Sequence, residues 1–153
     1  MHEPQKLAID LGANAHRLAA IYRQMPKEDR NWRPDAGRGH QGMSADEIMQ
    51  ESVLTCLTIA DLVDGEEFEM EKGVPKGEFS DVLERSVAKA VSQLYESDPE
   101  NLKREADTPW GKWKLGDIFH HFVHNLMYNC GRMIYLQSLL GIGAPKLRPE
   151  SVN

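Results

Sequence analysis

Residues 115–140 read LGDIFHHFVHNLMYNCGRMIYLQSLL, and their spacing decides the fold. At about 100° per residue, Ile118, Phe122, Leu126, Met133, Leu136 and Leu140 gather on one broad sector of a helix. His120, His124, Tyr128 and Tyr135 occupy another. Gly141 marks the C-terminal end, and Pro145 forbids continuation beyond it. His121, Asn125 and Asn129 follow one another at single-turn intervals between the two sectors. Polar side chains placed at such a border can face a neighbouring helix, so this strip is the first candidate for a site.

Three earlier segments carry the same helical period, and no stretch of useful length alternates with period two. Over about residues 4–25, Leu7, Leu11, Leu18, Ile21 and Met25 form one stripe, stopped by Pro26. Ser44 and Glu47 have the S-x-x-E spacing of a capping box, opening a helix through Ile48, Thr55, Ile59 and Leu62 to Gly65. A charged, glycine-containing loop precedes a third helix over about 79–96, with Phe79, Val82, Leu83, Val87, Val91 and Leu94 on one face. Asp98-Pro99 ends it. The connection 100–114 is expected to hold a short turn of helix before a turn at Pro109-Trp110-Gly111. Four long amphipathic helices with extended connections specify an all-α, antiparallel four-helix bundle, and residues 1–153 form one domain.

Composition narrows the functional classes. A net charge of −6 argues against a general nucleic-acid binder, because neutralising phosphates takes clustered Lys and Arg. The start, MHEPQKLAID, has neither the basic nor the apolar region of a signal peptide, and no run reaches the ~18 apolar residues of a membrane span. A cytoplasmic location is expected. Cys56 and Cys130 both fall inside apolar helical patterns, as buried reduced thiols do. No helix N-terminus or cation cluster accompanies Cys130, so a thiol nucleophile is disfavoured.

The run TPWGKWKLGDIFHHFVHNLMYNCGRMIYLQSLLGI (108–142), taken with WRPDAGRGHQGMSADEIMQE (32–51), resembles the DinB-like (damage-inducible, YfiT-like) superfamily of metal-binding helical bundles. The resemblance extends over nearly the whole chain: helix order, the Trp-Arg-Pro approach, the Ser-capped second helix, the Thr-Pro-Trp-Gly turn and the closing Leu-Leu-Gly-Ile. It implies a stress-related protein, a homodimer, and one nickel or zinc ion held by three histidines. One of these comes from the second helix and two, in an H-x-x-x-H pair, from the last. Carried over position by position, those ligands fall on Glu51, Asn125 and Asn129. His121 matches a histidine often found one turn before the pair, outside the ligand set.

All three expected ligands are therefore replaced. Amides are poor ligands for nickel or zinc, although an amide oxygen can join an oxygen-rich site. A Glu51 turned inward needs a compensating partner, for which His121, His124 and Arg132 are the candidates. Glu51, His121, Asn125 and Asn129, with His124 and Arg132 nearby, are expected to line a pocket between the second and fourth long helices. His120 and His124 have i, i+4 spacing but project elsewhere, and His2, His16 and His40 have no motif context. The expectation is a divergent bundle without a metal cofactor that binds a small ligand. The alternative is a metal-dependent hydrolase or thiol-S-transferase with nickel or zinc on Glu51, His121 and Asn125. Phe119, Val123, Met127 and Ile134 lie beyond the first apolar sector of the last helix, so a second face awaits either another chain or a covering segment of this one.

Overall fold

The computed structural model describes residues 1–143, so the stop at Pro145 lies outside the described residues. The helices are α1 (Glu3–Arg23), α2 (Ala45–Val63), α3 (Phe79–Tyr95) and α4 (Leu115–Leu139), each within two residues of its expected ends. Pro4 near the start of α1 has no amide hydrogen to leave unsatisfied. The capping box of α2 is complete: Glu47 N donates to Ser44 Oγ at 3.2 Å, and Ser44 N to Glu47 Oε1 at 3.3 Å. Gly141, with φ of 73°, takes the left-handed conformation after α4 that closes a helix.

Hydrogen bonds and ion pairs between helices set their directions. Gln137 near the end of α4 donates to Ile21 O near the end of α1, and His120 near the start of α4 meets Glu3 at the start of α1. These two helices lie parallel. Arg23 at the end of α1 pairs with Asp81 and Glu84 at the start of α3, so that pair is antiparallel. Asp64 after α2 accepts from Gln93 near the end of α3, which makes α2 and α3 parallel. α2 and α4 are antiparallel, since Met43 before α2 meets Arg132 in the second half of α4. The expected four-helix bundle thus has two helices running each way, with parallel and antiparallel neighbours alternating around it.

Parallel neighbours require a connection that travels back along the bundle. Residues 64–78 make this journey beside α2: Thr58 Oγ1 bonds Glu69 O at 3.2 Å, and Lys72 pairs with Asp61. Residues 24–44 carry a 3-10 turn at Lys27–Asp29 and a small hairpin, β1 (Asp35–Gly37) with β2 (His40–Gln41). Residues 96–114 supply a 3-10 turn at Pro99–Lys103, the short helical piece expected there. They add a hairpin, β3 (Glu105–Thr108) with β4 (Gly111–Lys114), around Pro109-Trp110. Neither hairpin was expected from periodicity. Their side chains are mostly exposed, so they bury no alternating face.

The core between the helices is apolar. Leu7, Leu11, Leu18, Ile59, Leu83, Leu94, Leu126 and Met133 are all 2% exposed or less. Phe119 and Val123 are buried too, and Asn14 of α1 donates to Val123 O at 3.3 Å. The chain itself therefore covers much of the second face of α4. Met127 remains 52% exposed. No helix among the described residues is long and apolar enough to cross a membrane.

Candidate functional site between α2 and α4

α2 and α4 pack less closely than the other neighbouring helix pairs, and polar side chains fill part of the seam. Asn129, 1% exposed, anchors them. Its Nδ2 donates to Ser52 Oγ at 2.9 Å and approaches Glu51 Oε1 at 3.4 Å. Its Oδ1 accepts from Arg132 Nη1 at 3.2 Å, so both ends of the amide are engaged. Ser52, fully buried, returns its own proton to Ile48 O at 2.8 Å.

Arg132 bridges the remaining groups. Its Nη1 lies 3.9 Å from Glu51 Oε2, and its Nη2 is 2.7 Å from Met43 Sδ. The ring of Tyr128 lies 5.4 Å from its guanidinium carbon. The Glu51 and Arg132 side chains are 33% and 25% exposed, so this loose ion pair contributes no more than about 1 kcal/mol. Its effect is on the character of the site: a fixed positive charge sits beside the carboxylate and the amide oxygen.

Of the residues expected to share a pocket, the structure thus brings together Glu51, Asn129 and Arg132. Asn125 is half-buried on the same face of α4, one turn earlier, without a side-chain hydrogen bond among the described residues. His121 stands a further turn away in an aromatic group. Its ring centroid is 6.4 Å from Trp110, 6.1 Å from Trp113 and 6.1 Å from Phe122. No hydrogen bond joins His121 to Glu51 among the described residues. His124 is exposed and likewise makes none. Ser52 and Met43 are members that sequence reasoning missed. Ser52 adjoins Glu51 and Met43 adjoins the capping Ser44, but neither residue type signals a site by itself.

A nickel or zinc ion does not fit this donor set. Such ions take imidazole or thiolate ligands. The seam offers one carboxylate, Glu51, and two amides, Asn125 and Asn129, and the Arg132 guanidinium already approaches both the Glu51 carboxylate and the Asn129 carbonyl. Among the described residues, no group of three His, Cys, Asp or Glu side chains is placed to hold a metal ion. The thiols stand apart from the seam's chemistry. Burial pushes Cys56 up to about 12 and Cys130 up to about 11, and Cys130 Sγ lies 3.5 Å from Asn14 O.

The sequence matches no protein-family model, and no curated protein is significantly similar to it. Its structure is similar to the crystal structure of a DinB-like protein, YjoA, from Bacillus subtilis. The TM-score is 0.73 at 13% identity, covering 95% of this chain and 99% of that one. At this identity the likeness concerns the fold, and over nearly the whole chain the fold is DinB-like.

Proposed function

We propose that this DinB-like bundle is a divergent member of its superfamily that binds a small ligand between α2 and α4 without a metal cofactor. The observation that carries this reading is Arg132, whose guanidinium spans Glu51 and Asn129 where a bound cation would otherwise balance the carboxylate. A guanidinium is permanently charged and offers several fixed donors, so it can orient a polar ligand group without recruiting an ion. The Glu51 and Arg132 side chains, 33% and 25% exposed, would be the groups such a ligand meets first.

The alternative, a metal-dependent hydrolase or thiol-S-transferase on Glu51, His121 and Asn125, requires those three side chains to converge. Against it stand the placement of His121 among Trp110, Trp113 and Phe122 and the presence of Arg132 beside Glu51. Metal analysis of protein purified without an affinity tag separates the two. The expected result is nickel and zinc far below stoichiometric. About one equivalent, tightly held and lost in the His121→Ala variant, would establish the alternative.

A further inference from the structure

At the other end of α2, a cavity of about 320 Å³ opens between the start of the 64–78 connection and β3. Its volume lies at the lower limit of small-molecule sites. The floor is part of the core: Leu62 and Leu115 are 1% and 2% exposed. Phe68 forms a wall and is braced from two sides. Phe122 of α4 stacks on it at 6.2 Å between centroids, and Trp110 of the β3–β4 turn meets it edge-on at 5.8 Å. The turn itself is fastened, since Thr108 Oγ1 donates to Gly111 O at 2.7 Å and accepts from Trp110 N at 3.2 Å.

Of the five charged residues that line this cavity, four are acidic, and all four are exposed. Glu66, Glu67, Glu105 and Asp107 line it, and among the described residues the first three make no ion pair. Asp107, with its side chain 89% exposed, meets an exposed Lys112 at 3.9 Å. Arg104 is the lining cation, but its Nη2 donates to Leu62 O at 3.0 Å and to Val63 O at 3.4 Å, so it serves the end of α2. Those carbonyls are the negative pole of a helix whose last turn carries no basic residue.

We propose that this cavity binds a small organic ammonium ion. Carboxylates would take the charge, the face of Phe68 would add a cation–π contact, and Leu62 and Leu115 would shelter the aliphatic part. The site is separate from the Arg132 seam, and neither proposal depends on the other.

Diaminobutane is the probe, and butanediol is its uncharged counterpart of like length. Titration calorimetry at low ionic strength should show saturable binding of the diamine and none of the diol. Backbone amide shifts should centre on Phe68, Ala106 and Leu115. The Glu67→Gln/Glu105→Gln double variant should weaken binding about tenfold, and Phe68→Leu, which keeps an apolar side chain against Phe122, by several-fold. Arg132→Met should leave the affinity unchanged. Absence of saturable binding, equal binding of the diol, or shifts centred on Glu51 and Asn129 would each overturn the assignment.

Discussion

Asn129 and Arg132 are neighbours in the seam between α2 and α4, yet they differ in what their loss would cost. Asn129 is buried and bonded at both ends of its amide, so Asn129→Ala strands Ser52 and Arg132 and should cost about 1–3 kcal/mol. Arg132 is partly exposed, its carboxylate partner reaches solvent, and its loss takes one donor from Asn129 while leaving the Ser52 bond, so Arg132→Met should cost less than Asn129→Ala. Urea denaturation of the two variants checks this order, and an Arg132→Met loss as large as that of Asn129→Ala would contradict it. The sequence offered His121, His124 and Arg132 alike as partners for Glu51 and could not choose among them; the structure sets Arg132 at 3.9 Å from it. The aromatic surroundings of His121 were not legible, because they depend on rings that the preceding hairpin folds back onto α4.

Arg23 of α1 grips α3 through Glu84, at 3.0 Å and 2.9 Å to the two carboxylate oxygens, and through Asp81 at 3.0 Å. The hydrogen bond from Arg23 holds the Glu84 carboxyl below the usual range, against a partial desolvation that raises it. A carboxyl depressed in the folded state adds stability above its unfolded value, and that stability is lost as the pH falls through the folded one. Glu84→Gln should therefore lower Tm at neutral pH, and the gap from the parent should close on acidification below the ordinary carboxylate range. Thermal melts across that interval test it, and a gap that stays constant with pH would remove the Arg23–Glu84 account. The helices themselves were readable from the chain, since each carries a long apolar stripe and α2 has a complete capping signal. The hairpins at 35–41 and 105–114 were not, because strands of two to four mostly exposed residues leave no periodic trace.

For the whole molecule, the outer face of α4 is the feature that bears on assembly. Met127, Tyr128, Tyr135 and Leu139 are 52%, 65%, 63% and 46% exposed, and beside Gly131 there is open space. His124, Tyr128, Gly131, Tyr135 and Ser138 follow at alternating intervals of four and three residues, the spacing of a seam between two helices. We propose that a second copy of the chain packs here about a two-fold axis. Light scattering over a dilution series should give twice 17.3 kDa, reduced toward the monomer by Tyr135→Asp. A monomeric mass at micromolar concentration would end the idea. Phe119→Asp is no probe of this surface, because Phe119 is 1% exposed and its replacement would damage the fold itself. The side-by-side placement of α1 and α4 also bears on how the chain is made. Of the four helices, α1 leaves the ribosome first and α4 last, and domains complete their packing only when all contributing segments have emerged. One flank of α1, including Asn14 and Ile21, therefore has no native cover for most of the time that translation takes. That flank gains its native cover only when the last of the four helices arrives.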